Sequence, residues 1–261
     1  MNIQVTDTID TIVNTNLKAV KVLSRYGIDF CSDGSRSLKE ACHEANVSFR
    51  KLLRNIREAE KYRVSTPPDL SSLKMNELTR FIERYHHRYT HEYIEFIKAN
   101  LSRLVRRHGK QHPELEELNN IFAEMTAHIV VHMQHEEMIV FPYIREMVRR
   151  GRKGRSAIFR SIESPIRAMM DDHQKGNPYL TRLEELTHHY TIPEAAGNDY
   201  KVTYQALRDF EQDLYKHLRI EAEILFPMAL EMETRYNHLT WVAKEYSQLK
   251  RNPEPHVFES L

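Results

Sequence analysis

The sequence of 261 residues carries 38 lysines and arginines against 37 aspartates and glutamates, a formal net charge of +1. This balance argues against the strongly basic surface typical of nucleic-acid binding. The 7 glycines are few, and helix-forming residues are abundant, which excludes most β-sandwich, barrel and dinucleotide-binding folds and predicts long helices with few loops. The 15 histidines, nearly 6% of the chain, are the feature that needs an explanation.

Several other classes of protein are excluded by what the sequence lacks. No apolar run approaches the roughly 20 residues of a membrane-spanning helix. The N-terminus has no basic residue before Lys18 and no apolar segment with a cleavage site, so no secretory signal is predicted. Two cysteines, Cys31 and Cys42, are too few for a disulfide framework, and a cytoplasmic location is expected. Nucleotide-dependent and serine-hydrolase chemistry are disfavoured because no glycine-rich phosphate loop or GxSxG motif is present.

In chain order, the first predicted unit is a small helical N-terminal domain over residues 1–62. Residues 63–72, with paired prolines, are predicted to be a linker. Residues 73–240 carry four long periodic stretches, at about 73–107, 113–150, 157–190 and 200–236. Long helices joined by short loops predict an all-α fold built on an antiparallel up-down four-helix bundle. The C-terminal tail, residues 241–261, contains two prolines and is expected to be partly disordered.

Two matching segments, 85 residues apart, lie in the second and fourth predicted helices. HMQHEEMIVFPYIREM at 132–147 and HLRIEAEILFPMALEM at 217–232 share 7 of 16 positions and the pattern HxxxExxIxFP. HxxxE alone is weak evidence, since His91–Glu95 and His112–Glu116 also fit it and are expected to be surface pairs. The shared FP tail distinguishes the two informative copies, and its proline is expected to kink each helix.

The spacing of each copy predicts a metal site. Residues i and i+4 share a helix face, so each copy projects an imidazole and a carboxylate together, as in the dinuclear centres of bundle cores. The first and third helices offer two further histidines, 87 residues apart, for which a satisfied polar core residue is the alternative. Gly176-Asn177-Pro178 is expected to kink or interrupt the third helix. The predicted ligand set is His86, His132, Glu136, His173, His217 and Glu221.

Nitrogen and oxygen donors without thiolate suit iron, with manganese or zinc as alternatives. If both glutamates and an oxo group bridge two irons, four imidazoles leave about one open position on each ion for NO, O₂ or peroxide. His128 and Asp213 lie one turn before a predicted ligand histidine and are candidates for supporting those ligands. A partly solvated helix face explains these two residues equally well.

The HxxxE…FP pair, preceded in each half by a histidine, resembles the hemerythrin-like HHE cation-binding domain. The segment YGIDFC ending at Cys31, followed by Ser37-Leu38 and Ala41-Cys42, resembles the small domain that precedes this bundle in the repair-of-iron-centres (ScdA/YtfE-type) family. The resemblance spans about residues 10–235. It implies a non-haem di-iron centre held by the same six residues, and restoration of iron–sulfur clusters after nitric oxide or peroxide stress. Damaged iron–sulfur proteins are then the expected partners, and a homodimer is compatible with the pattern.

The chain departs from that family at the N-terminal motif. The family has adjacent cysteines followed by two glycines, whereas this chain has Cys31-Ser32-Asp33-Gly34 and therefore lacks the pair of neighbouring thiols. Cys31 is a candidate redox thiol, and a small buried residue is the alternative reading.

Two other functions compete with cluster repair. An O₂ or NO carrier or sensor without turnover does not need the N-terminal cysteine domain, and hemerythrin carriers have HxxxxD in the last helix where this chain has HxxxE. A plain structural bundle is disfavoured because six ionisable groups inside a core are costly without a metal. Both catalytic turnover and simple binding are compatible with the ligand pattern.

Overall fold

A computed structural model of the chain describes residues 3–31, 34–61, 70–151, 161–194 and 196–251. Apart from one isolated bridge between Thr8 and Ser37, regular structure in these ranges is helical, which confirms the predicted all-α fold. The α-helices are α1 (Ile9–Thr15), α2 (Leu17–Arg25), α3 (Leu38–Glu44), α4 (Phe49–Lys61), α5 (Met75–Phe81), α6 (Arg88–His108), α7 (Glu114–His135), α8 (Phe141–Arg150), α9 (Glu163–Leu186), α10 (Asn198–Ile220) and α11 (Phe226–Arg251).

Three π-helical turns join α-helices end to end within the long stretches: Ile82–His87 between α5 and α6, Glu136–Val140 between α7 and α8, and Glu221–Leu225 between α10 and α11. After each turn, the next backbone N–H donates to the carbonyl five residues earlier. Pro142 and Pro227 follow two of these turns, where a wider turn accommodates the proline ring and its missing N–H. The irregularity expected at each proline therefore takes the form of a π turn.

The long helices pack side by side as a bundle. Helix α6 packs against α7 and α10, α7 packs against α9, and α5 packs against α8. Because the start of the first long stretch meets the end of the second, these two stretches run in opposite directions.

A polar belt divides the apolar core of the bundle into two clusters. One cluster joins the N-terminal helices to α6, α7, α9 and α10, and includes Phe122 and Phe210, whose ring centroids lie 5.5 Å apart. The other includes Phe141 and Phe226 at the opposite end. Helices α1–α4 thus share an apolar core with the bundle. The predicted division at residue 62 stays a prediction, since residues 62–69 of the linker region lie outside the described ranges.

The interruption expected in the third long helix is not found. Helix α9 runs continuously from Glu163 to Leu186 and contains Pro178. Pro178 and Gln174 are both exposed, so the carbonyl that loses its N–H partner faces solvent, where water can satisfy it.

Helix α11 continues past residue 241 to Arg251, and the partial disorder expected in the tail stays a prediction. After Pro227 its sequence is rich in helix-forming residues, and the next proline is Pro253. Residues 252–261 lie outside the described ranges, as do residues 152–160 of the predicted loop after the second long helix. Among the described helices, none combines the length and the apolar character needed to cross a bilayer.

Candidate metal centre

Both copies of the repeat contribute an imidazole and a carboxylate to the polar belt. His132 and His217 lie in the last turns of α7 and α10, and Glu136 and Glu221 begin the π turns that follow. The Nε2–Oε1 distance is 2.7 Å for His217–Glu221 and 3.4 Å for His132–Glu136. Both glutamates are 0% exposed. The i,i+4 spacing therefore produces the pairing that it predicts.

The belt contains two groups of potential metal ligands that share both glutamates. Within each group, one ligand atom from every residue lies within 4.8 Å of the others. The first group is wholly buried, and the two histidines of the second are partly exposed. The groups are His87, Glu136, His217 and Glu221, and His132, Glu136, His173 and Glu221.

Each shared carboxylate turns one oxygen toward each group. Glu136 places Oε2 3.3 Å from Nε2 of His87 and Oε1 3.4 Å from Nε2 of His132. Glu221 places Oε1 2.7 Å from Nε2 of His217 and Oε2 3.4 Å from Nε2 of His173. A carboxylate whose two oxygens face different donor sets is suited to bridging two cations.

The side chains of the belt fit a metal better than they fit one another. Within the described residues, both carboxylate oxygens of Glu136 and Oε2 of Glu221 are buried without a hydrogen-bond partner, as is Nδ1 of His217. Unpaired buried carboxylate oxygens are expensive unless a cation compensates them. The donors are nitrogen and oxygen only, the set that iron, manganese and zinc accept.

Imidazole protons partly neutralise the buried carboxylates. Burial lowers the pKa of His132, but the nearby carboxylate of Glu136 outweighs burial and raises that pKa to about 9. His87 also has a raised pKa, because Glu136 again outweighs burial. Burial disfavours ionisation of Glu221, yet the charge of His217 holds the pKa of this carboxyl well below its usual value. A bound metal would replace these protons, so metal binding should release them.

The structure brings together five of the six predicted ligands and differs at the sixth. His87, not His86, belongs to the first group, with its Nε2 3.1 Å from Nε2 of His217. His86 instead places Nδ1 3.0 Å from Oδ2 of Asp213, and its ring lies parallel to that of His217 with centroids 5.7 Å apart. The cause is the π turn Ile82–His87, because one extra residue rotates a helix by about 100°.

The sequence contained a signal for His87. His132 follows it by 45 residues, and follows His86 by 46, whereas His217 follows His173 by 44. The two halves are therefore more nearly equivalent when His87 is the leading histidine.

Carboxylates at the edge of the belt hold the outer nitrogens of two histidines. Oε1 of Glu137 lies 2.7 Å from Nδ1 of His87, and Asp213 binds His86 as described above. The Glu137 contact is of the kind that fixes the orientation of a metal-binding imidazole, whereas Asp213 holds a histidine outside both groups. Sequence reasoning missed Glu137, although its position directly after Glu136 was an available signal. His128 is exposed and its ring lies 5.7 Å from the ring of Tyr179, and the supporting role considered for it stays a prediction.

The two other HxxxE matches lie outside both groups. His91 and Glu95 are exposed. His112 pairs through Nδ1 with Glu114, at 3.0 Å, rather than with Glu116. Because they belong to neither ligand group, these residues are useful controls.

Cys31, the candidate redox thiol, contacts a cation of the bundle. Its Sγ accepts a hydrogen bond from Nη1 of Arg103 at 3.0 Å. Burial raises the pKa of the Cys31 thiol although Arg103 opposes the shift, and burial likewise raises the pKa of Cys42. Both cysteines are free thiols. Ser32 and Asp33 lie outside the described ranges, and the redox role of Cys31 stays a prediction.

Comparisons with known proteins show the family to which the chain belongs. The sequence profile of the Hemerythrin HHE cation binding domain matches residues 81–229, and the profile of the ScdA_N domain, a Domain of Unknown function (DUF542), matches residues 5–60. An iron–sulfur cluster repair protein YtfE from Yersinia pestis is 29% identical over 225 residues, which cover 83% of this chain and 93% of the relative. An iron–sulfur cluster repair protein ScdA from Staphylococcus epidermidis is 24% identical over 221 residues, 84% of this chain and 96% of the relative. Because the first profile covers more than half of the chain and contains both ligand groups, the protein belongs to the hemerythrin HHE cation-binding domain family.

Proposed function

We propose that the protein is a non-haem di-iron protein that repairs, or supplies iron to, iron–sulfur clusters damaged by nitrosative or oxidative stress. The observation that carries the proposal is the pair of buried glutamates, each with one oxygen toward each of two donor groups. Family membership supports the choice of iron, and the relatives named as iron–sulfur cluster repair proteins support the role.

The proposed ligand assignment follows the two groups. The buried pair of histidines would hold one ion and the partly exposed pair the other, and both glutamates would be shared between the two ions. Two bound irons supply open coordination positions for NO, O₂ or peroxide and can exchange electrons. The proposed ligands are His87, His132, Glu136, His173, His217 and Glu221, with His86 as the alternative to His87 in the first helix.

The surrounding residues orient the imidazoles and exclude water. The ring of Phe141 stacks on that of His87 at 5.6 Å, and the ring of Phe226 stacks on that of His173 at 6.2 Å. Both phenylalanines belong to the apolar cluster at one end of the belt, so water cannot approach from that end. Glu137 holds the outer nitrogen of His87 and keeps its Nε2 directed into the belt.

The two groups differ in their access to solvent. The side chains of His132 and His173 are each 10% exposed, whereas those of His87 and His217 are each 1% exposed. A small ligand, or an iron ion leaving for a recipient cluster, therefore passes by the second group. Damaged iron–sulfur proteins are the proposed partners at that surface.

A reconstitution assay tests the proposal. Protein loaded anaerobically with Fe²⁺ is incubated with a 4Fe–4S enzyme whose cluster has been destroyed by NO, and recovery of cluster absorbance and enzyme activity is followed. Wild-type protein should restore the cluster, and Glu221→Gln should not, because it loses a shared ligand. Glu95→Gln, a substitution in an exposed HxxxE match, is the matched control and should behave as wild type.

Two results would contradict the proposal in different ways. Glu221→Gln protein that retains both irons would show that the belt is not the metal centre. Wild-type protein that holds two irons and binds NO reversibly, but restores no cluster, would instead support a hemerythrin-like O₂ or NO binding or sensing module without turnover.

A further inference from the structure

A cleft lies where the N-terminal helices meet the bundle, away from the polar belt. This cleft has a volume of about 590 Å³. One wall is the loop 27–30 after α2, and the other is formed by Arg103, Arg106 and Arg107 in the last two turns of α6. Three guanidinium groups from consecutive turns of one helix therefore face a loop of the N-terminal region.

Two carboxylates near the cleft are already engaged. Oδ2 of Asp199 lies 2.9 Å from Nε2 of His108 and 3.5 Å from Nη1 of Arg107, so one carboxylate serves both cations. Oδ1 of Asp29 accepts a hydrogen bond from the backbone N–H of Cys31 at 2.8 Å. Asp29 lines the cleft, and this neutral contact leaves its charge intact, so three arginines face one lining carboxylate.

Arg103 and Arg106 have no anionic partner among the described residues. Arg106 is exposed, and no described carboxylate lies within ion-pairing distance of it. Arg103 donates to the sulfur of Cys31 and places its guanidinium carbon 5.3 Å from the ring centre of Phe30. A thiol is a weak, neutral acceptor, so the charge of Arg103 is held in place but not neutralised.

We propose that this cleft binds a phosphate dianion, either free or as the monoester group of a small metabolite. Arginine presents a planar fork of N–H donors that matches the oxygens of phosphate and binds them bidentately. The volume falls within the range of about 300–1,000 Å³ typical of small-molecule sites, and exceeds what a bare phosphate fills.

Occupancy of the cleft should change the reactivity of Cys31. A bound dianion draws the Arg103 guanidinium away from the Cys31 sulfur and adds negative charge beside it. Both effects disfavour the thiolate, which is the form that reacts with alkylating reagents. Cys31 is thus a built-in reporter, and buried Cys42 is an internal reference in the same chain.

The experiment measures alkylation of Cys31 by iodoacetamide in the full-length protein, using mass spectrometry. Inorganic phosphate, adenosine monophosphate and adenosine are titrated at constant ionic strength maintained with chloride. Phosphate and the monophosphate should slow alkylation of Cys31 saturably, by about threefold or more, since a pKa increase of about half a unit lowers the thiolate fraction that much. Adenosine should have no effect, and the more potent of the two anions identifies the free ion or the monoester as the ligand.

Two variants separate specific binding from general charge effects. Arg106→Gln removes a cleft cation that does not contact Cys31, and it should abolish the saturable effect with little change in the rate without ligand. Arg208→Gln removes an exposed cation of α10 outside the cleft and should leave the effect intact. Equilibrium dialysis with labelled phosphate should give about one site per chain in wild type and none in Arg106→Gln.

The proposal would be overturned by no saturable change in wild type, by an equal effect of adenosine, or by an unchanged effect in Arg106→Gln. The arginines would then serve only to stabilise the carbonyl end of α6, where cations are favoured by the helix dipole.

Discussion

Replacing a shared carboxylate should remove both metal ions, whereas replacing a single histidine should remove one. Glu136 directs Oε2 to the group of His87 and Oε1 to the group of His132, so Glu136→Gln removes negative charge from both groups. His173 belongs to the second group alone. After anaerobic iron loading, we expect about two irons per chain in wild type, about one in His173→Ala and fewer than one in Glu136→Gln.

The stability of each variant should follow its iron content. A ligand present at 100 times its dissociation constant stabilises the folded state by about 2.7 kcal/mol, and two independent ions by about twice that. For a chain of this size, about 1 kcal/mol shifts Tm by about 2–4 °C. Loading should therefore raise Tm by about 10–20 °C in wild type, by about half as much in His173→Ala, and hardly at all in Glu136→Gln.

The assay combines elemental analysis with calorimetry at one fixed concentration of free Fe²⁺. Each variant is compared with its own metal-stripped form, so that any direct effect of the substitution on folding cancels. Glu95→Gln is the matched control and should show the wild-type gain. Retention of one iron and half of the Tm gain by Glu136→Gln would refute the shared carboxylate. A loss in Glu95→Gln equal to that in Glu136→Gln would refute the location of the centre.

Three further predictions concern the leading histidine, a buried acid and the core. His87→Ala should lower the iron content to about one per chain, and His86→Ala should leave about two irons per chain. Equal losses of iron in the two variants would contradict the assignment of His87, rather than His86, to the first ligand group. Glu211→Gln should raise Tm at pH 7, because burial raises the pKa of Glu211 and ionisation of this carboxyl therefore destabilises the folded protein as the pH rises. The Tm difference should vanish below about pH 4, where the carboxyl is protonated in both the folded and the unfolded protein. A Tm difference that does not change with pH would exclude titration as the cause. Phe122→Ala should reduce the free energy of unfolding, measured by denaturant titration, by about 3–5 kcal/mol, because the buried ring packs against Phe210. The iron content of this variant should equal that of wild type. A parallel loss of iron would show that the apolar core and the metal centre are not separable.

The helices were predictable because their signal is long and local. Apolar residues repeat at the helical period over stretches of about 30 residues, and such a pattern survives small errors at the ends. The effect of single residues within the helices was less predictable. Pro178 was expected to disturb α9, but it lies on an exposed face where a missing backbone hydrogen bond is tolerated. The effect of a proline on a helix depends on whether the carbonyl that loses its N–H partner is exposed to solvent. The identity of a single residue in the sequence does not indicate that exposure.

Contacts between the predicted metal ligands within one helix were likewise more predictable than the contribution of the first helix. His132 with Glu136, and His217 with Glu221, could be paired from sequence because i,i+4 geometry is fixed within one helix. The contribution of the first helix depends on the rotation of that helix about its own axis. One inserted residue in its π turn exchanges His86 for His87 as the residue that faces the belt. The periodic pattern of apolar residues does not reveal a single inserted residue. Only the spacing between the histidines of the two halves indicated that His87, rather than His86, faces the belt.

The FP tail of the repeat follows from the same geometry. In each copy the glutamate is the first residue of a π turn, and its carbonyl accepts the N–H of the phenylalanine five residues later. The proline that comes next lacks an N–H and would disturb a regular α-helix, so the wider turn relieves a conflict that the motif itself creates. Phe141 and Phe226 lie in the apolar cluster beside the belt, and thereby fix the turn while their glutamates face the metal ligands. The exposed matches at His91 and His112 have no such tail, because a surface pair requires neither a widened turn nor an apolar residue to fix it.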